Sequence, residues 1–184
     1  MARKENQRIA LTRRLLQEGL LRLLANQKLE DISVTALCKE AGINRATFYN
    51  HYTSPNGLLA EMERQLVSEL EQLAKTPTSF EDIALSLEQY CIVLRDNAEL
   101  VSILSCYHAD RDIEEILTSL ATYYDKNRLD LNKTTLDLNS THLVSTFLCA
   151  GCYALVREWL NRGIDKSPKE ISSLILSIIS KDYL

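Results

Sequence analysis

Only five glycines and three prolines punctuate this chain of 184 residues. So few chain-benders leave little room for the close-set turns of a β-sandwich or barrel. Between them, apolar residues recur at spacings of three and four, the period of a helix with one buried face. The expected fold class is therefore all-α. Hydrophobic residues make up 46% of the chain, enough for a sizeable core, and charged residues 25%, which is ordinary for a globular protein. A collagenous, low-complexity or disordered chain is excluded on the same counts.

Period and punctuation together place the helices. A first helix is expected from Glu5 to about Ala25, with Ile9, Leu16, Leu20, Leu23 and Leu24 on one face. Gly19 inside it costs about 1 kcal/mol relative to alanine, which a buried close contact would offset. Ser33 suits the N-cap of a second helix, Val34 to Ala41, and Gly42 ends it. Asn44 caps a short third helix reaching about Asn50. Ser54 and Pro55 open a fourth, residues 54–75, which carries Leu58, Leu59, Met62, Leu66, Leu70 and Leu73 in core phase. Thr76-Pro77 breaks the chain. Thr78 and Ser79 with Glu81 and Asp82 then form a capping-box pattern before a helix bearing Ile83, Leu87, Tyr90, Cys91 and Leu94. A short helix around Ala98–Cys106 follows. Another opens at Asp110 with Ile113, Ile116, Leu117, Leu120 and Tyr124 in phase. Leu129 to Asn139 is polar and aperiodic and reads as a loop.

The last two helices are the most apolar. His142–Arg162 is apolar nearly all round between Phe147 and Val156, the pattern of a helix buried on all sides. Gly163 ends it. Ser167-Pro168-Lys169-Glu170 is a capping box with proline at the first helical position, and Ile171, Leu174, Ile175, Ile178 and Ile179 follow. In so small a chain, two such helices point to a four-helix bundle shared by two copies. The expected interface comprises Phe147, Ala150, Gly151 and Ala154 with Ile171, Leu174, Ile175 and Ile178. The small residues of Cys149-Ala150-Gly151-Cys152 would let a partner helix approach closely.

Charge narrows the function classes. Nine of the 21 Lys and Arg residues lie in residues 1–52, against five of the 25 acids; the rest carries twelve basic residues against twenty acidic. A basic head on an acidic body suits a polyanion partner at one end. The N-terminus is charged without a following apolar run, and the longest apolar stretch, near Leu143–Val156, falls short of the roughly 20 residues that span a bilayer. With five cysteines, an odd number, the expectation is a reduced, cytoplasmic chain with free thiols. Cys149 and Cys152 form C-x-x-C inside a helix, where redox or zinc chemistry would need a helix N-terminus or further ligands. They read as small buried apolar residues, as do Cys38, Cys91 and Cys106. The three histidines form no metal-ligand pair, and no Ser-His-Asp order or phosphate loop stands out. The expectation is no enzyme, no metal and no cofactor.

The chemistry concentrates in Ser33 to Tyr52, SVTALCKEAGINRATFYNHY. Two short helices joined at Ala41-Gly42-Ile43 form a helix-turn-helix pattern. Leu37, Ile43 and Phe48 are its expected core. The second helix would expose Arg45, Ala46, Thr47, Tyr49 and Asn50. Arginine can bind guanine with two hydrogen bonds, threonine and asparagine donate or accept, and a methyl group can touch thymine. Tyr49, His51 and backbone N–H groups suit phosphate oxygens.

On these residues the chain resembles the TetR family of bacterial transcription regulators. The resemblance runs from about Ile9 to Leu66. It is carried by Ile32-Ser33-Val34, Lys39-Glu40-Ala41-Gly42-Ile43, Thr47-Phe48-Tyr49, His51-Tyr52, Ser54 and Leu58-Leu59. It implies a three-helix head that binds DNA (residues 1–53) and a larger helical body that binds effector and dimerises (residues 54–184), about nine helices in all, with the helix over 54–75 connecting the two. Cys149–Gly163 followed by Ser167-Pro168-Lys169-Glu170 resembles the family's dimerisation pair. By position, Ser33 and Thr35 would touch phosphate or a flanking base, Arg45, Ala46 and Thr47 would read bases, and Tyr49 and His51 would grip phosphate, with Asn50 able to do either. Where the family often has lysine near 53–55, this chain has Thr53-Ser54-Pro55, which leaves the N-terminus of the fourth helix as a substitute donor. The resemblance also implies an effector pocket, for which Tyr90, Leu94, Tyr107, His108, Tyr123, Tyr124, Thr146, Tyr153 and Trp159 are candidates. The implied function is a repressor that binds a palindromic operator as a homodimer and is released by a small molecule. The alternative is an adaptor of the same fold acting through protein contacts.

Overall fold

A computed structural model describes residues 2–73, 80–107 and 138–183. The described residues form eight α-helices and one 3-10 turn: α1 (Ala2–Leu24), a turn at Leu29–Asp31, α2 (Val34–Ala41), α3 (Arg45–Tyr49), α4 (Pro55–Leu73), α5 (Phe80–Asp96), α6 (Ala98–Tyr107), α7 (Leu138–Asn161) and α8 (Pro168–Tyr183). The fold is all-α. The helix expected to open at Asp110, the Thr76-Pro77 break and the Thr78/Ser79 cap lie outside the described residues. α7 begins at Leu138, so the expected loop over Leu129–Asn139 gives way to helix at its last two positions. The chain divides into two compact units, Met1–Leu66 and Val67–Leu184, and α4 runs through the boundary.

In the first unit the apolar stripe of α1 faces inward through Leu16, Leu20 and Leu24, while Ile9, one end of the expected stripe, is exposed. α1 packs on α2. A Cβ on Gly19 would stand 3.1 Å from the Ala41 Cβ, so the helices touch where neither carries more than a methyl group. That approach offsets the helix cost of the glycine. Ala41, at the end of α2, thus has α1 as its close neighbour. Arg22 Nε and Glu40 Oε1 pair at 2.6 Å across the same two helices. Both side chains are largely exposed, so the pair contributes about 0.2–1 kcal/mol. The fully buried Leu16, Leu20, Leu37, Phe48 and Leu58 dominate, at roughly 1.5–3 kcal/mol each.

The second unit is built on α5, which packs along α8, with α6 and α8 each touching α7. Its described core includes Tyr90, Cys91, Leu94, Leu104, Tyr153, Val156, Trp159, Ile171 and Ile175. The capping box before α8 closes in full. The Ser167 N–H donates to Glu170 Oε2 at 2.8 Å, and the Glu170 N–H donates to Ser167 Oγ at 3.3 Å. The Ser167 hydroxyl also donates to Glu170 Oε2 at 2.7 Å, and this bond, with that from the Ser167 N–H, holds the Glu170 carboxyl below its ordinary pKa. α7 is not buried on all sides within one chain: Tyr153, Val156 and Trp159 face inward, whereas Leu143, Phe147, Ala150, Gly151 and Ala154 are exposed. In the turn between α7 and α8, Ile164 sits at a φ of 61°, a left-handed conformation that costs a β-branched residue energy.

Candidate nucleic-acid interface

The site is set up by three caps. Ser33 Oγ accepts the Ala36 N–H at 3.1 Å and starts α2. Gly42, at φ 65° and ψ 29°, ends α2 in the left-handed region, its N–H donating to the Cys38 and Lys39 carbonyls while Ile43 N–H reaches the Cys38 carbonyl at 2.9 Å. A side chain with a Cβ is strained there, which is why the turn holds glycine. Asn44 Oδ1 then accepts the Ala46 N–H at 2.8 Å and starts α3. One residue separates the left-handed turn from this cap, so the direction of α3 is fixed by backbone geometry and by Phe48, wholly buried beneath it.

With Phe48 inside, the outward face of α3 carries Arg45, Ala46, Tyr49 and Asn50, all exposed, with Thr47 half-buried at its flank. The Tyr49 ring is 52% exposed and meets Phe48 edge-on at 5.6 Å between centroids. It lies on the surface, as the sequence suggests. Asn50 is the C-cap of α3, and half-buried His51 follows it, its N–H donating to the Phe48 carbonyl at 2.9 Å. Thr35 and Ser33 are exposed at the start of α2, the Ser33 hydroxyl already engaged in its cap. Cys38 lies beneath, its thiol pushed up by burial and drawn partly back by the Arg45 charge, so the guanidinium acts across the two helices. Ser54 Oγ accepts the Gly57 N–H at 3.1 Å and caps α4 as the sequence suggests. Together these residues can place one guanidinium, an amide, a phenol, an imidazole and capped helix starts against a polyanion.

The effector candidates whose side chains are described lie on α5 and α7. Tyr90 is buried and its hydroxyl donates to the Leu70 carbonyl at 2.9 Å; Leu94 is buried beside it on α5. Tyr153 is buried with the Arg157 guanidinium 5.5 Å above its ring, and Trp159 Nε1 donates to the Lys166 carbonyl at 3.0 Å. Thr146 is exposed. The Tyr107 side chain, His108, Tyr123 and Tyr124 lie outside the described residues. Burial pushes the thiol of Cys91 up to about 12 and that of Cys152 to about 11. Both are neutral, poorly nucleophilic groups at physiological pH. A cleft of about 350 Å³ lies in the first unit, between α1 and Gln65 of α4. It is lined by Asn6, Ile9, Ala10, Arg13, Arg14, Gln17 and Gln65, none of them an effector candidate. Sequence reasoning missed this cleft and the Arg22–Glu40 tie; it expected a close contact at Gly19 but not its partner, Ala41. Among the described residues no cluster of three or more His, Cys, Asp or Glu could hold a metal, and no helix is long and apolar enough to cross a membrane.

An N-terminal helix-turn-helix followed by a unit of longer helices is the architecture of a helix-turn-helix regulator. Residues 81–181 match the family model described as the TetR-type transcriptional regulator C-terminal region, more than half of the chain. The chain belongs to the TetR family of transcriptional regulators. Its fold is similar to that of NalD, the secondary repressor of the MexAB-OprM multidrug efflux pump in Pseudomonas aeruginosa (16% identity, 94% of this chain and 96% of that one, TM-score 0.66). It also resembles a transcriptional regulator of Aquifex aeolicus (18%, 94% and 99%, TM-score 0.64) and the dihydroxyacetone kinase operon activator DhaS (19%, 92% and 94%, TM-score 0.60). No curated protein matches the chain.

Proposed function

We propose that this protein is a cytoplasmic repressor that binds a palindromic DNA operator as a homodimer and is released by a small-molecule effector. The observation that carries the reading is the outward face of α3: Arg45, Ala46, Tyr49 and Asn50 are exposed while Phe48 of the same five-residue helix is wholly buried. Arg45 and Thr47 read base edges, Tyr49, His51 and the α2 start with Ser33 and Thr35 hold phosphates, and Asn50 serves either. Residues 1–53 act as the DNA-binding head and the helix over 54–75 joins it to the body.

The dimer is supported by the exposed apolar face of α7 and α8. Phe147 is 72% exposed and Leu143 69%, with Leu174 and Ile178 also open. A Cβ on Gly151 would meet no atom within 4 Å among the described residues, which suits a surface that receives a second helix. Ile171 and Ile175, expected on this face, are instead buried inside the chain's own unit. Two heads related by a twofold axis would read half-sites about 34–36 Å apart. Among similar folds, one is named a repressor and another an activator, so the direction of regulation rests on where the operator lies.

Selection of random duplex DNA by the purified protein tests the reading. A palindromic consensus whose affinity falls steeply with salt is expected. Failure to enrich any sequence at low salt, with the dimer intact, would replace the DNA reader by the adaptor.

A further inference from the structure

The cleft between α1 and α4 holds no residue that the proposed function uses. One face of α1 lines it: Asn6, Ile9, Ala10, Arg13, Arg14 and Gln17 follow one another at the period of a helix. Ile9 stands at the end of the apolar stripe that buries Leu16, Leu20 and Leu24, yet it opens into the cleft and is 37% exposed. Gln65 of α4 forms the facing wall. Gln17 Nε2 donates to Gln65 Oε1 at 3.3 Å, and Gln65 Nε2 donates onward to Glu61 Oε1 at 3.1 Å, so an amide relay joins the two helices in the cleft wall.

The lining is cationic: Arg13 and Arg14 contribute to it and no acidic residue does. Arg14 Nε is paired with Glu18 Oε1 at 2.7 Å, which leaves both its Nη groups open. Arg13 has no hydrogen bond or ion pair among the described residues. The carboxylate of Glu61 already accepts from Arg64 Nη2 at 2.7 Å as well as from Gln65, so it does not neutralise Arg13 by contact. A guanidinium presents paired N–H groups at the spacing of two oxygens of one carboxylate or phosphate. Two like charges in one concave surface repel each other, and a dianion between them turns that repulsion into attraction. The amides of Asn6 and Gln17 add neutral donors and acceptors, and Ile9 and Ala10 offer contact to a short carbon skeleton. The volume of about 350 Å³ suits a small molecule.

We propose that this cleft binds a small organic dianion, its charged oxygens on the Arg13 and Arg14 guanidinium groups and its carbon skeleton against Ile9 and Ala10. The chemistry recognised is the oxyanion, whether carboxylate or phosphate. The site belongs to the first unit, whereas the described effector candidates lie on α5 and α7 of the second. It stands whether or not α3 reads DNA. A dianion held between α1 and α4 also stabilises the first unit by mass action.

An NMR titration of the full chain tests it, following the side-chain N–H signals of Arg13, Arg14, Gln17 and Gln65. Succinate and glycerol 3-phosphate are the probes, with sodium chloride holding the ionic strength constant. Saturable shifts at these residues are expected with either probe, at a dissociation constant on the order of a millimolar or tighter. Whichever probe binds more tightly assigns the oxyanion as carboxylate or phosphate. Arg13→Ala should weaken binding about tenfold, and Arg13→Lys, which keeps the charge but loses the paired donors, about threefold. Lys28→Ala removes one charge from an exposed side chain of the same unit outside the cleft and should leave binding unchanged. All three variants replace exposed side chains, so their Tm without ligand should stay close to that of the wild type. Shifts that never saturate, or equal losses in Arg13→Ala and Lys28→Ala, would reduce the cleft to diffuse surface charge and overturn the site. Shifts with duplex DNA but with neither small anion would overturn it too, and make the cleft a grip on backbone phosphate.

Discussion

Among the described helices, the shortest and the longest expose opposite chemistry. α3 has five residues, buries Phe48 and turns polar groups outward. α7 has 24 residues, buries Tyr153, Val156 and Trp159, and still turns Leu143 and Phe147 outward. A polar exposed face is already solvated and suits a polar, charged partner. An apolar exposed face remains costly until another apolar surface covers it. The first surface suits reversible, selective binding; the second suits a lasting apolar partner. In the proposed function, the contrast between operator and dimer partner follows from which side chains each helix leaves in water.

The comparison breaks first at the apolar face. Gly151→Leu would place a bulky side chain where the partner helix is proposed to lie. It should shift the protein from dimer to monomer or aggregate in sedimentation; an intact dimer would move the interface elsewhere. Next is the packing that orients the head. Gly19→Val should destabilise the first unit by about 2 kcal/mol in urea unfolding, because its Cβ alone falls 3.1 Å from Ala41. Gly19→Ala paired with Ala41→Gly, which keeps one methyl group at the contact, should lose much less.

The buried thiol of the second unit gives a pH signature. Cys91 has its pKa raised to about 12 by burial, from an ordinary 9.0. The folded form thus keeps a proton that the unfolded form releases. The contribution is fully present below pH 9 and is lost as pH rises through the folded value. Cys91→Ala should flatten the fall in stability between pH 9 and 11 by about one proton, read from unfolding at several pH values. The smallest effect belongs to the α7–α8 turn. Ile164→Asn, a residue better suited to a positive φ, should stabilise the fold by about 0.5–1 kcal/mol in thermal unfolding. A loss there would mean that the half-buried isoleucine side chain contributes more than its backbone costs.

Much of this was legible in the residues. Ser33, Gly42, Asn44, Ser54 and Ser167 act within a few residues of themselves, so local spacing identified each as a cap or turn. What local spacing could not decide was which apolar face belongs inside. In α8, Ile171, Leu174, Ile175 and Ile178 share one helical period, yet Ile171 and Ile175 are buried against the chain's own helices while Leu174 and Ile178 are exposed. Both pairs are equally apolar, and only the packing against α5 and α7 separates them. The same limit hid the partner of Gly19, which lies 22 residues away on another helix. On the recognition surface, Phe48 was assignable to the core and Tyr49 to the outside by their places on one short helix, and the direction of α3 leaves them so.

The account turns on α3 as the reader of bases. Selecting duplexes side by side with the wild-type protein and Arg45→Ala tests this most directly. The account predicts two consensus sequences with the same half-site spacing and salt dependence shallower by about one phosphate contact at most, but with base preference lost at one position per half-site and affinity lower by about 1–3 kcal/mol. Identical consensus sequences of equal affinity would contradict it and place the reading surface on another element.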